Sequence, residues 1–315
     1  MNEADQRVNA AAFEEQLARV GAEAAGAREG MFGPHSMRWR VDREAALFLG
    51  AGRALLLQLA HPWVAAAVAE HSRALDDPIG RFHATFGTVF AMVFGSRDEA
   101  LAMARRLYRR HLGITGRLPD GGAYEANDRA ALRWVHATLT DTAFLAYRLV
   151  AAVTPEERAL YYRESVRFAG LFGLSPAELP PDWDGFAAAF DATLRSDTLA
   201  VSETARAIAA SLLTGAGSWI IVPSWYRALT AELLPPNLRD AFQLAYGDAE
   251  REAAARALSR IRRIYPRLPA RLRFVGPYFE AQERLAGRAR PGLATRLGNR
   301  FWIGRPALGA EPNGR

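Results

Sequence analysis

The chain contains no cysteine, which excludes disulfides, thiolate-ligated haem, iron–sulfur clusters and zinc sites built on sulfur. Lysine is missing as well: all 40 basic residues are arginine. No Schiff-base lysine, lysine general base or phosphate-loop lysine is therefore available. Alanine is abundant too, so the arginine excess is read as residue bias and carries no functional weight by itself. No apolar run reaches the ~20 residues that a bilayer-spanning helix needs; Leu212–Val222 falls short. The amino terminus, MNEADQRVNAAAFEEQ, has acidic residues and no apolar stretch of the signal-peptide kind. These absences lead to the expectation of a soluble, cytoplasmic protein with no transmembrane segment. No stretch alternates apolar and polar residues as a half-buried strand would.

What is present is ordinary for a globular chain: 315 residues, half of them apolar and 23% charged, enough to bury a sizeable core. The net charge of +6 is unevenly spread. Residues 251–315 hold 15 arginines against four acidic residues, so this end carries +11 and the remainder −5. Such a basic end suits a polyanion, an acidic membrane surface or simply a solvated face. The arginines are dispersed without regular aromatic interleaving, which favours the solvated face, and no nucleic-acid partner is expected.

Helical periodicity and its punctuation dominate. Helices are predicted over residues 3–28, 44–60, 63–75, 79–94, 97–112, 127–153, 155–172, 183–194, 197–213, 223–233, 236–246, 250–265 and 277–287. Residues 30–41 read as an ordered loop, with Asp42 as the N-cap of the helix 44–60. Pro62 forces a break after His61 and suits the first turn of the next helix. Ser96 with Glu99 forms a capping box, and Thr154-Pro155-Glu156-Glu157 marks another helix start. The expected fold is all-α, a single multi-helix domain of roughly a dozen helices, with residues 113–124 as a loop. An N-terminal helix (1–29), a main domain (30–290) and a basic C-terminal tail (291–315) are the expected divisions.

The stretch Gly52–Gly116 concentrates the polar groups that need explaining. Four of the six histidines lie in it: His61, His71, His83 and His111. On the predicted helix 79–94, Phe82, Phe86, Val89, Phe90 and Val93 make one broad apolar side, while Arg81, Thr85, Thr88 and Met92 share another. A helix with so little hydrophilic surface is expected to be buried. Arg81 would then need an anionic partner, either a structural carboxylate or a bound anion. On helix 97–112, Leu101, Ala104, Leu107, Tyr108, His111 and Leu112 form the expected inward stripe, with the arginines facing out. His111 is then a hydrogen-bonded core residue or a ligand, and the residues leave both open, as they do for His61, His71 and His136. No histidine has an acidic residue three positions before it and no HExxH occurs, which argues against zincins and carboxylate di-iron bundles. Neither GxSxG nor a Walker A loop is present. The residues alone point to a helical protein with an Arg/Thr/His cluster able to house an anionic, iron-bearing or apolar ligand.

Several stretches carry a resemblance. They are G-M-F-G-P-H-S-M-x-W (30–39), R-A-L-L-L-Q-L-A-H-P-W-V-A (53–65), E-H-S (70–72), D-P-x-G-R-F-x-x-T (77–85), V-F-G (93–95), H-L-G-I-T-G (111–116) and W-V-H-A-T-L (134–139). Together they resemble the family of mpaB-type oxygenases and the rubber oxygenase catalytic domain, over about residues 30–290. The resemblance implies an all-α protein with a globin-like haem core. The rubber-cleaving branch holds haem b through a proximal histidine and cuts carbon–carbon double bonds with dioxygen; the mpaB branch cleaves a farnesyl-type side chain. Carried over, the family's Arg-x-x-x-Thr pair falls on Arg81 and Thr85 and its axial histidine on His111. The lysine that precedes the threonine in rubber-cleaving enzymes is replaced by Ala84. Their proposed glutamate base has no match beyond Glu70, the nearest upstream carboxylate. With no export signal in view, a small isoprenoid-like olefin is expected as substrate in place of polyisoprene.

The resulting expectation is a haem b-dependent oxygenase. Its iron is held by His111, and Arg81 and Thr85 line the cofactor and serve catalysis. Its partners are dioxygen and an apolar small molecule, and homo-oligomerisation is left open. A haem protein catalysing a different oxidation, and a non-catalytic haem- or lipid-binding sensor, are the alternatives.

Overall fold

Short polar residues start half of the helices. In the computed structural model, which describes residues 6–72, 77–118, 120–215 and 221–309, side chains of Asn9, Ser36, Asp77, Ser96, Asp128, Thr154, Asp182 and Ser202 each accept a hydrogen bond from a backbone N–H in the first turn of a helix. Each thereby satisfies one of the orphan donors at a helix start. The capping boxes at Ser96/Glu99 and Thr154/Glu157 are both formed.

Sixteen α-helices result among the described residues, with a single two-stranded hairpin. The fold is all-α. In chain order the helices are α1 (Ala10–Ala22), α2 (Met37–Asp42), α3 (Ala51–Leu59), α4 (Pro62–His71), α5 (Pro78–Phe94), α6 (Arg97–Leu112), α7 (Arg129–Arg148) and α8 (Pro155–Gly170). They continue with α9 (Trp183–Leu194), α10 (Glu203–Thr214), α11 (Ser224–Leu233), α12 (Pro236–Ala241), α13 (Asp248–Ile264), α14 (Ala270–Arg273), α15 (Gly276–Leu285) and α16 (Leu293–Ile303). The hairpin, β1 (Thr115–Arg117) and β2 (Ala123–Glu125), is antiparallel with Gly116 opposite Tyr124.

Three apolar clusters hold these elements. The largest joins α1, α2, α5, α6, the end of α8 and α15 through Phe13, Leu17, Trp39, Phe90, Phe94 and Phe168. A second gathers α3, α4, α7, α9 and α10. The third packs Met37 and Val41 against Phe144 and Tyr161. Trp39 fixes α2 to α5 by donating its indole N–H to the Val93 carbonyl at 2.9 Å, as a buried tryptophan requires.

Several expectations are revised. Residues 30–41 are not all loop: Ser36, whose Oγ accepts from the Trp39 N–H at 3.1 Å, opens the short helix α2. Asp42 therefore does not cap a following helix; it closes α2 and forms a buried ion pair with Arg38. The expected helix 44–60 is a 3₁₀ turn at Ala45–Leu49 and then α3. The turn is fixed because buried Glu44 accepts from the Tyr265 hydroxyl at 2.9 Å and from Arg273 at 3.1 Å. The loop at 113–124 contains β1 and part of β2. Part of the stretch read as a basic tail is the ordered helix α16, packed on α5 and α15. The predicted helix end at Leu75 lies outside the described residues, as does part of the apolar run Leu212–Val222. No described helix is long and apolar enough to cross a membrane.

Candidate functional site

The helix α5 is two helices in terms of burial. Its second half, from Phe90 to Phe94, is fully buried, but Arg81, Ala84 and Thr85 in its first half are exposed and Ile79, Phe82 and Phe86 are only part-covered. Uniform burial, expected from composition, is thus wrong for the N-terminal half. Packing explains the split. α5 lies on α2, α6, α15 and α16, whereas α4, the preceding helix, packs on α3, α10 and the hairpin. Two consecutive apolar helices are therefore held by different neighbours. On α4, Trp63, Val64 and Val68 remain part-exposed and Ala65 alone is buried.

The Arg81 guanidinium makes no hydrogen bond or ion pair with any described residue, and neither does the Thr85 hydroxyl. Nearby protein still displaces water from the guanidinium: burial lowers the Arg81 pKa, and the neighbouring Arg110 charge lowers it further. A guanidinium that lacks a carboxylate and sits beside a second cation is an electrostatic cost in the free protein. Of the two partners considered for Arg81, a structural carboxylate is not found among the described residues.

His111 stands at the last turn of α6 and is half-buried. Burial pushes its imidazole pKa down to about 4; the Asn127 amide opposes the shift, while Arg110 and Arg81 add to it. The ring is therefore neutral at physiological pH, the form in which imidazole binds a metal. Asn127 lies beside the ring without a hydrogen-bonding geometry, and its buried Nδ2 has no partner. Behind His111, toward Phe13, Leu107, Leu132 and Leu171, the cavity holds about 10 Å³, room for about one water. This cavity is too small for a ligand of porphyrin size. Leu112, expected inward, is exposed, because the helix ends there and turns its last side chain to solvent.

The remaining histidines divide. His71 Nε2 lies 3.1 Å from the Thr115 carbonyl, His83 Nε2 3.0 Å from the Phe301 carbonyl, and buried His136 Nε2 2.8 Å from the Ser165 carbonyl. Each is a hydrogen-bonded structural residue. His61 differs: buried at the kink before α4, it leaves Nδ1 without a partner. Burial lowers its pKa and the Asp128 carboxylate opposes that shift. Glu70 is engaged: its Oε2 accepts from the Tyr124 hydroxyl at 2.6 Å, and Tyr124 is pushed up to about 12 by burial and by this contact. The motif glycine Gly116 is required here, since a Cβ would stand 2.5 Å from the Tyr124 hydroxyl and 2.6 Å from Glu70 Oε2.

Sequence reasoning missed Asn127 as a neighbour of His111. Arg110 lies on the solvent face, as its helical position predicts, and its charge nevertheless acts on both Arg81 and His111. Asn127 begins no motif, so its approach to His111 depends on the hairpin between them. Among the described residues no group of three or more His, Cys, Asp or Glu side chains converges on a metal position. A metal at His111 would therefore bring most of its own ligands. The residues suit a haem in three respects: a single neutral imidazole, an uncompensated cation beside it, and incompletely covered apolar helices.

The family described as "ER-bound oxygenase mpaB/B'/Rubber oxygenase, catalytic domain" matches residues 38–264, well over half of the chain. No curated protein and no solved structure matches.

Proposed function

We propose, from the premise that this chain belongs to the mpaB/B' and rubber oxygenase catalytic-domain family, that it is a haem b-dependent oxygenase acting with dioxygen on an apolar, unsaturated, isoprenoid-like small molecule. Membership by itself makes the protein an oxygenase, an enzyme of the oxidoreductase class, and sets aside the non-catalytic sensor. The haem, its ligand and the substrate are the further steps of the reading, as is a globin-like arrangement of helices around the porphyrin.

The observation that carries it is the unpaired Arg81–Arg110 charge beside the neutral His111. Haem b presents both complements, an iron that takes one neutral imidazole and propionates that take a guanidinium, and when bound it supplies dioxygen activation. His111 would hold the iron, and its low pKa keeps protons from competing for the ring. Arg81 would hold a propionate by charge-assisted hydrogen bonds, which are roughly twice as strong as neutral ones. Thr85, one turn on, offers a hydroxyl to orient polar atoms in the pocket. The part-covered side chains Phe82 and Phe86, which pack together beside Phe48, would exclude water and bind hydrocarbon. Ala84 carries no group able to cap the iron, so this face stays open.

The test is oxygen uptake by the haem-loaded protein with a panel of terpenoid olefins. Uptake with at least one olefin, and a carbonyl product from a cleaved double bond, is expected. Uptake with saturated analogues only would overturn the olefin reading.

A further inference from the structure

The helix α16 exposes an unusually apolar outer side for a protein in water. Its inward side carries Thr295 and Asn299, both buried. Thr295 Oγ1 donates to Glu283 at 2.8 Å, and Asn299 Nδ2 donates to Glu280 at 2.6 Å. Its outward side carries Leu293, Leu297 and Phe301, which are 71%, 54% and 69% exposed. Four-residue spacing puts these three in one stripe along the helix. A helix docked on a protein in water normally shows the reverse distribution. Single exposed leucines need no explanation; three large apolar residues in register, on the side opposite buried Thr295 and Asn299, do, even though Ile303 at the helix end is buried in the core.

Charge identifies what covers the stripe. Arg296 and Arg300 flank it, both exposed, and neither pairs with a described carboxylate. The described acidic residues of this region are engaged elsewhere: Glu252 with Arg256, and Glu280 and Glu283 on the inward side of α16. Leu272, next to an arginine whose Nη1 donates to Thr295 at 3.3 Å, is 64% exposed as well. A purely apolar protein partner would leave the arginines uncompensated. An anionic bilayer surface supplies acyl chain for the stripe and phosphate for the guanidinium groups.

We propose that α16 is a peripheral membrane-docking helix. Leu293, Leu297 and Phe301 enter the acyl–headgroup boundary of an anionic bilayer, and Arg296 and Arg300 bind lipid phosphates. The helix lies beyond the matched family region, residues 38–264, so the docking stands apart from the oxygenase reading. It is nevertheless joined to the candidate site. Trp302 stacks on Phe48 at 4.5 Å, Phe48 contacts Phe82 and Phe86 of α5, and Arg305 donates to the Gly87 carbonyl at 3.3 Å. Docking would bring the bilayer to the helix that carries Arg81 and Thr85; that it delivers a lipid-dissolved olefin there rests on the proposed function.

Co-sedimentation of the full chain with phosphatidylcholine vesicles, with and without phosphatidylglycerol, tests this. Binding to the phosphatidylglycerol vesicles is expected, and it weakens as salt rises. Leu297→Gln with Phe301→Gln abolishes it, and Arg296→Gln with Arg300→Gln weakens it about tenfold or more. Circular dichroism spectra of all variants stay those of the wild type; should the glutamine pair fail to fold, Leu293→Ala with Leu297→Ala tests the same stripe. Failure to bind phosphatidylglycerol vesicles, or binding that neither pair alters, overturns the proposal. So does a wild-type dimer, seen by sedimentation velocity, that the Leu297/Phe301 pair splits while vesicle binding is absent; that result gives the stripe to a second copy. Vesicle binding requires no haem, so failure here and failure of the haem reading are separate results.

Discussion

Three side chains, Arg81, Thr85 and His111, carry the proposed chemistry, and the residue scale shows which of their properties sequence can reveal. Their types and spacing were legible in D-P-x-G-R-F-x-x-T and H-L-G-I-T-G. Their environment was not, because burial depends on which helices pack where. Helical composition predicts a buried Arg81, yet it is exposed along an incompletely covered helix; the inward stripe predicts an inward His111, which is half-buried, its pKa lowered by burial, by Arg110 and by Arg81 from another helix. Because the Arg81 guanidinium has no described partner and is repelled by Arg110, Arg81→Gln is expected to leave the melting temperature of the haem-free protein unchanged or to raise it. The same variant should bind haem about tenfold to a hundredfold more weakly, the range for losing a hydrogen bond to a charged group. Thermal melts check the first half and a haem titration followed by absorption the second; unchanged haem affinity would remove Arg81 from the site.

His136 gives a prediction at the same scale with no bearing on haem. Burial lowers its pKa from the ordinary 6.5 to about 4, the Ser165 carbonyl opposing the shift. The unfolded chain therefore takes up the proton first as pH falls. The contribution to stability is complete above the unfolded value and is lost as pH drops through 6.5 toward 4, by up to about 3 kcal/mol. Urea denaturation at a series of pH values should show that loss, and His136→Gln should flatten it. A variant with the same acid sensitivity as the wild type would assign the loss to other groups.

At the scale of the element, caps and prolines were the readable signals. Ser96 and Thr154 open helices where predicted, and Pro62 breaks the chain after His61, because capping and proline sterics act within a few residues. Short elements escaped: α2, α14 and the hairpin are too brief for periodicity to register. Their positions are set by distant contacts such as Trp39 to Val93. The motif glycines have reasons of the same kind. Gly30 has φ +79°, and a Cβ there would lie 2.2 Å from the Gly95 carbonyl oxygen. Two motifs, G-M-F-G and V-F-G, thus meet at one backbone contact. Gly30→Ala combines left-handed strain with a clash against backbone that cannot swing away, and should destabilise by about 2 to 4 kcal/mol. Equilibrium denaturation would check it, and a change below about 0.5 kcal/mol, the ordinary surface range, would mean that the loop is free to move.

At the scale of the molecule, the all-α class followed from pervasive helical periodicity and the absence of alternating stretches. The number of helices did not, since proline and glycine divide runs that look continuous in sequence. The basic C-terminal region is the clearest case: its charge was visible, yet only the structure shows that Leu293, Leu297 and Phe301 face outward while Thr295 and Asn299 face in. The family match unites the central region under an oxygenase activity, and the proposed haem reading requires this region to hold iron through His111. The absorption spectrum of the purified protein after titration with haem b decides that point. A Soret band that reaches saturation at one haem per chain and is lost or shifted in His111→Ala is the predicted result. A folded protein that stays colourless, or a band unchanged by the substitution, would contradict it.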